Sequence, residues 1–339
     1  MRNPRKTGAR TIGVPSRDTA ARRLLSEPAM RNVLTKAILS WKPLRKVRDA
    51  ILRDLAIPQR MPALPPANDV SPSPRDRAEM DRRLADAVRG KVVLVTGGSS
   101  GIGLAAAQRI AAAGATTLVC GRDRERLTEA ARLIGPRARA VEVDLSDLAR
   151  CDAFVDEILR EYGRVDVLVN NAGRSIRRPL EESLDRFHDF QRTMQLNYFG
   201  ALRLTMALLP KMAARRAGHV VNISSVAVLM SAPRFSAYVA SKAALDAWTN
   251  CVANEYAGSG IDFTTIHMPL VKTPMIAPTR AYDRVPSLST DEAADMIVQA
   301  IVEKPPRIAT GIGVLGDLLH TVLPGAARAL MNNTFRKAA

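Results

Sequence analysis

Val92-Val93-Leu94-Val95-Thr96-Gly97-Gly98-Ser99-Ser100-Gly101-Ile102-Gly103-Leu104 is an apolar, β-branched run that breaks into glycines and then opens an alanine-rich helical stretch. Glycines at 97, 101 and 103 let backbone come close to a pyrophosphate, whose charge is met by the free N–H groups of a helix start. Glycines alone would serve any tight strand-to-helix turn. What gives these weight is their place, after a first strand and at the head of a helix.

Outward from this loop the same alternation continues. Strand-like runs stand at 92 to 96, 116 to 120, 139 to 144, 165 to 170, 219 to 224 and 261 to 267, separated by stretches rich in Ala, Leu, Arg and Glu. Continuous apolar strands alternating with helices predict a doubly wound α/β fold, a parallel sheet covered on both faces (a Rossmann fold), with a helical N-terminal extension. Ligands of such a sheet bind at the carboxyl ends of the strands. A chain preferring NAD(H) would carry Asp or Glu at the end of the second strand, where this one has Cys120-Gly121-Arg122. Arg122 in that place pairs with a 2′-phosphate, so NADP(H) is preferred over NAD(H) on charge complementarity.

A second informative segment is Asn222-Ile223-Ser224-Ser225, at the end of a predicted strand, and Tyr238 follows thirteen residues after Ser225. Tyr238 and Lys242 form an i, i+4 pair and share one helix face. A phenol with an ordinary pKa of about 10 is a poor acid-base group at neutral pH, and an adjacent ammonium favours its ionised form. On its own such a pair is more often a structural Tyr with a surface Lys. Beside the glycine loop and the strand-end serine, it reads as chemistry.

TGGSSGIG at 96 to 103, NNAG at 170 to 173, LNYFG at 196 to 200, NISS at 222 to 225 and YVASK at 238 to 242 stand in an order and spacing that resemble the short-chain dehydrogenase/reductase family. The resemblance covers residues 91 to about 310 and implies a nicotinamide-dependent oxidoreductase acting on C=O or CH–OH groups. It implies Tyr238 as general acid, Ser225 as hydrogen-bond donor to the substrate carbonyl, and Lys242 as the residue that binds the nicotinamide ribose and tunes Tyr238. Asn197 would hold a proton-relay water. Cofactor contacts would come from Thr96, Gly97, Ser99, Ser100, Gly101, Ile102 and Gly103, from Arg122, from Asp144 and Leu145 at the adenine, and from Asn171, Ala172 and Gly173. Pro269, Val271 and Thr273 would meet the nicotinamide end. There the chain departs from the family, with Leu270 where most members have Gly after the proline.

Longer stretches, among them NNAGRSIRRPLE and MPLVKTPMIAPT, look like the reductase domain of bacterial fatty acyl-CoA reductases and their fatty-aldehyde and β-ketoacyl relatives. This implies a long apolar substrate, with fatty aldehyde to fatty alcohol as the leading reaction and reduction of a β-ketoacyl lipid as the alternative. The reading from a different class is a non-catalytic, membrane-associated nucleotide-binding protein; loss of Tyr238 or Lys242 would have supported it, and both are present. Met275, Ile276, Pro278, Tyr282, Val285 and Leu288 form either an apolar lid or a packed surface loop. The run Val314, Leu315, Leu318, Leu319, Val322 and Leu323 extends an acyl channel, docks on a membrane, or completes the core. Arg174, Arg177, Arg178 and Arg234 flank two of the motifs, as holders of an anionic carrier such as a CoA phosphate or as a solvated basic rim.

Length and composition bound these readings. With 339 residues and 47% apolar content, the chain has material for one large core. Its three cysteines are scattered and its four histidines lack ligand spacing, so neither a disulfide framework nor a metal site is expected. The formal charge of +17 is concentrated: residues 1 to 60 hold 15 basic and 4 acidic residues, residues 91 to 339 hold 30 and 24. Four parts are expected: a basic amphipathic arm (1–57), a Pro-rich linker with a lead-in helix (58–90), the catalytic domain (91–310) and an apolar helical tail (311–339). The arm's apolar stripe packs on protein or lies peripherally on a membrane. No nucleic-acid reading motif accompanies its charge. A cytoplasmic homo-oligomer is the expected setting, the oligomer by family resemblance.

Overall fold

A computed structural model describes residues 74–277, 279, 282 and 285–337. The chain divides into two units, residues 1–68 and 69–339, and everything described belongs to the second. The arm, most of the Pro-rich linker and Pro278 lie outside the described residues.

In chain order the elements are α1 (Pro74–Val88), β1 (Val92–Thr96), α2 (Gly101–Ala112), β2 (Thr116–Gly121), α3 (Arg124–Ile134), β3 (Ala138–Glu142), α4 (Leu148–Tyr162) and β4 (Val167–Asn170). Then come α5 (Phe187–Met194), a π-helical segment (Gln195–Gly200), α6 (Ala201–Arg215), β5 (Gly218–Ser225), α7 (Val226–Met230), α8 (Ser236–Glu255) and β6 (Ile261–Met268). The chain ends with α9 (Thr290–Glu303), β7 (Arg307–Ala309), α10 (Gly311–Val322) and α11 (Pro324–Lys337). Every predicted strand is present, with ends that coincide or shift by at most two residues. The three-residue β7 was not expected, because RIA between charged and proline neighbours carries too short a pattern to read.

The seven strands form one parallel sheet in the order β3-β2-β1-β4-β5-β6-β7. Helices cover both faces over two apolar cores. One core packs Ala105, Ala106, Ala107 and Ile110 of α2, with Ile297 and Val298 of α9, on one face of the sheet; the other packs α4 and α6 on the opposite face. The strand order reverses between β1 and β4, and that switch point is where a crevice opens beyond the strand ends. Local chemistry fixes the helix starts: Asp123 accepts from Arg126 N at 3.0 Å, Asp147 from Arg150 N at 3.2 Å, and Ser289 and Glu292 form a capping box.

The C-terminal run divides its residues between protein and solvent. Leu315 is buried, whereas Ile312, Val314, Val322 and Leu323 are exposed. Added Cβ atoms on Gly313 and Gly316 would meet Leu229 and Met230 at 3.1 and 2.7 Å, so these glycines seat α10 against α7. His320 Nε2 lies 3.0 Å from Met230 O and closes the same contact. Among the described residues no helix is long and apolar enough to cross a membrane.

Candidate active site

Beyond the strand ends lies a cleft of about 830 Å³, walled by the glycine loop on one side and by α7, α8 and the segment after β6 on the other. The loop is held from behind. Thr96 Oγ1 donates to Val169 O at 3.2 Å and accepts from Asn171 N and Ala172 N at 3.0 and 2.9 Å. Asn171 Nδ2 in turn donates to Thr96 O at 2.9 Å. Thr96 and Gly103 therefore stand behind the cleft, and a Cβ on Gly103 would lie 2.5 Å from both Asn171 Nδ2 and Gly97 O. Gly97, Ser99, Ser100, Gly101 and Ile102 form the wall itself.

Gly97 and Gly101 have φ of +64° and +55°, a region that favours glycine. Ser100 stands at the N-cap of α2 without a side-chain capping bond, so the first N–H groups of α2 have no side-chain acceptor. This loop fits a diphosphate. Further along, Arg122, Asp144, Leu145, Asn171, Ala172 and Gly173 line the same cleft. Asp123, the carboxylate nearest the end of β2, is taken up by the α3 cap and an ion pair with Arg126 at 3.2 Å. Arg122 has no ion pair among the described residues.

At the centre, Ser225, Tyr238 and Lys242 all line the cleft. Ser225 ends β5 and caps α7, its Oγ accepting from Ala227 N at 3.2 Å. A side-chain hydrogen bond links Ser225 and Tyr238. Lys242 is buried, and its Nζ donates to Ile223 O at 2.6 Å. Burial pushes its pKa down to about 8, against a smaller opposing pull from Asp246. At Tyr238 burial raises the pKa, and the hydrogen bond with Ser225 opposes that rise.

Asn197 lies behind the cleft in the π-helical segment, fully buried. It accepts from Arg174 N at 2.7 Å and donates to Arg174 O and Ser241 Oγ at 2.9 Å each. π-Helical turns often mark functional positions; this one ties the strand-β4 loop to α8. Pro269, Leu270, Val271 and Thr273 line the nicotinamide end expected from the sequence. The loop that follows is pinned at its base by Lys272 N to Leu288 O and Leu288 N to Leu270 O, both 2.8 Å. Met275, Ile276, Tyr282 and Val285 of this loop face the cleft, together with Val226, Ala227, Met230 and Phe235.

The arginines separate into different roles. Arg178 and Arg186 both hydrogen-bond Asp189, Arg186 at 3.1 Å. Arg174 lines the cleft, its pKa lowered by burial and by Arg192 and Arg122. Sequence reasoning missed the buried group behind the site, Ser224, Asp246 and His267. The signal that could have found it was Asp246, one further helical turn beyond Tyr238 and Lys242. Among the described residues no group of His, Cys, Asp and Glu is arranged to hold a metal.

The family model for short chain dehydrogenases matches residues 91–283. The chain is 53% identical over 251 residues to a fatty acyl-CoA reductase of Acinetobacter baylyi, covering 73% of this chain and 85% of that protein. Among solved structures it is similar to a short-chain dehydrogenase from Streptomyces avermitilis, with TM-score 0.63 and 34% identity, over 74% of this chain and 99% of that one. It is also similar to a 3-ketoacyl-(acyl-carrier-protein) reductase from Brucella melitensis complexed with NADH, with TM-score 0.60 and 28% identity, over 66% of this chain and 97% of that one.

Proposed function

Because this chain belongs to the short-chain dehydrogenase family and is an oxidoreductase of that type, we propose that it is an NADPH-dependent reductase of a long-chain lipid carbonyl, most specifically of fatty aldehyde to fatty alcohol. The observation that carries this reading is the apolar half of the cleft. Val226, Ala227, Met230, Phe235, Met275, Ile276 and Val285 stand in the same cleft as Ser225 and Tyr238, an environment that takes an alkyl chain and drives water out. The similarity to a fatty acyl-CoA reductase supports the same substrate class. A β-ketoacyl lipid is the second reading, favoured by the likeness to a 3-ketoacyl reductase.

The residues divide the work as follows. Ser225 donates a hydrogen bond to the carbonyl oxygen and orients it toward Tyr238. Tyr238 then gives its phenolic proton to that oxygen as the alcohol forms. Burial keeps the phenol protonated at neutral pH, which suits the reducing direction. Lys242 brings a second buried donor close to the loop at Gly173, where an added Cβ would lie 3.5 Å from its Nζ. When bound, the reduced nicotinamide supplies the hydride to the carbonyl carbon. An alkyl chain laid on the apolar wall would displace water from beside the reacting atoms.

The test is NADPH oxidation at 340 nm by purified protein over a series of aldehydes from short to long chain. A kcat/KM that rises with chain length, by up to about fourfold per methylene from apolar transfer alone, supports the lipid reading. A flat series, or turnover confined to β-ketoacyl esters, overturns the aldehyde assignment.

The NADPH preference rests on Arg122. Arg122→Asp puts a carboxylate where a 2′-phosphate would lie, and is expected to raise KM for NADPH by about 10- to 100-fold while leaving KM for NADH within about threefold. Steady-state kinetics with both cofactors check this. Equal effects on the two place the phosphate site elsewhere.

A further inference from the structure

Helix α8 carries a third ionisable residue in register with the first two. Tyr238, Lys242 and Asp246 recur at i, i+4 and i+8, so they form one stripe along the face turned to the ends of β5 and β6. Ser224 and His267 are register partners across β5 and β6. Both converge on Asp246: Ser224 Oγ donates to Asp246 Oδ2 at 2.9 Å, and His267 Nε2 lies 3.0 Å from the same oxygen. A carboxylate only accepts, so His267 Nε2 is the donor. The side chains of Asp246 and His267 are only 13% and 7% exposed.

This network is more than a brace between strand and helix. Asp246 Oδ1 and His267 Nδ1 are buried with no hydrogen-bond partner among the described residues. An interior carboxylate with one oxygen uncompensated keeps its field, and in a low local dielectric that field reaches neighbouring groups. Its neighbours along the stripe are the proposed acid and its lysine. Ser224 is also next in sequence to Ser225, so the clamp fixes the end of β5 from behind.

We propose that Asp246 is a positioning residue for the reduction: clamped by Ser224 and His267 behind the Tyr238–Lys242 stripe, its carboxylate holds the proton on both groups and so sets the alkaline limit of the reaction. This rests on the reading of Tyr238 as the acid. The charge of Asp246 pulls the pKa of Tyr238 and of Lys242 in the same, upward direction. The other groups that act on Tyr238 are Ser225 from β5 and Tyr282 from the loop after β6, while His267 from β6 faces Asp246 itself and Asn197 of the π-helical segment bonds Ser241 of the same helix. Ser225 acts on Tyr238 in the opposite direction, and Tyr282 in the same direction as Asp246.

The experiment is the pH profile of kcat/KM for NADPH-driven aldehyde reduction, read beside an ultraviolet titration of the phenol in the full chain without cofactor. The phenol signal is taken as the difference between each protein and its Tyr238→Phe counterpart. Asp246→Asn is expected to move the alkaline limb and the Tyr238 titration to lower pH by about one unit. Asp246→Glu restores both. Ser224→Ala removes a donor from the carboxylate and keeps its charge, so it moves the limb upward by a few tenths of a unit; it keeps the test decisive if Asp246→Asn does not fold. A limb and titration unmoved in Asp246→Asn, or a downward move in Ser224→Ala, overturn the proposal. If Tyr238→Phe is inactive while Asp246→Asn titrates like wild type, this inference alone fails. If Tyr238→Phe keeps its rate, the assignment of the acid fails with it.

Discussion

Tyr238→Phe lowers kcat/KM for aldehyde reduction by about 10³-fold, with little change in the thermal midpoint. A positioned general acid is worth about 10²- to 10⁴-fold, and among the described residues the cleft holds no second phenol with the same connections: Tyr238 is half-buried and bonded to Ser225, while Tyr282 stands in the loop after β6. The substitution removes one hydroxyl and preserves the ring that packs edge-on with Phe235 at 6.2 Å. Ser225 keeps its bond from Ala227 N, so the loss in stability is of the order of one hydrogen bond, about 1 kcal/mol. Single-turnover rates and NADPH affinity, measured on the same protein, separate the outcomes. Unchanged affinity with a lost chemical step fits the role assigned; a retained rate refutes it.

The second large effect joins function to stability. Lys242→Met is expected to abolish most activity, by about 10²-fold or more, while raising the unfolding free energy at pH 7 by about 1–3 kcal/mol. Burial lowers the folded-state pKa of Lys242 to about 8 from 10.5. The unfolded chain therefore binds this proton more tightly, and the penalty is fully present below about pH 8. As pH rises from about 8 to 10.5 the penalty fades, so wild-type stability gains from this group across that window, and the Met variant lacks that gain. Loss of the donor to Ile223 O offsets part of the benefit. Denaturant unfolding at several pH values checks both statements. A Met variant less stable than wild type at pH 7 sinks the account of Lys242 as a strained, functional cation, and would make it a structural one.

Much of this was legible because it is local. The strand VVLVT was readable as a buried strand from its unbroken apolar run, and all five residues are buried or nearly so, Thr96 at 1% exposure. The glycine loop and the Tyr238–Lys242 pair were readable because each has its geometry within a few residues. The C-terminal run was not resolvable into one fate. Its amphipathic period allowed several partners, and the close approach of Gly313 and Gly316 to α7 depends on a neighbour about eighty residues away. β7 failed for the same reason, since its three residues acquire strand geometry only from pairing with β6.

The sequence by itself determined the alternating parallel architecture, the phosphate-compatible loop after the first strand, and the identity of a serine, a tyrosine and a lysine able to do carbonyl chemistry. Those follow from short-range periodicity and from side-chain type. Only the tertiary structure decided how acidic those groups are and what holds them. The crossover from β3 to β4 seats β4 beside β1 and reverses the strand order there, the place where such a sheet opens a crevice. Burial raises the pKa of Tyr238 and lowers that of Lys242; the carbonyl of Ile223 accepts from Lys242; and Ser224 and His267 bring Asp246 in behind them. Desolvation and cross-strand hydrogen bonding arise between segments distant in sequence, and no local pattern encodes their strength.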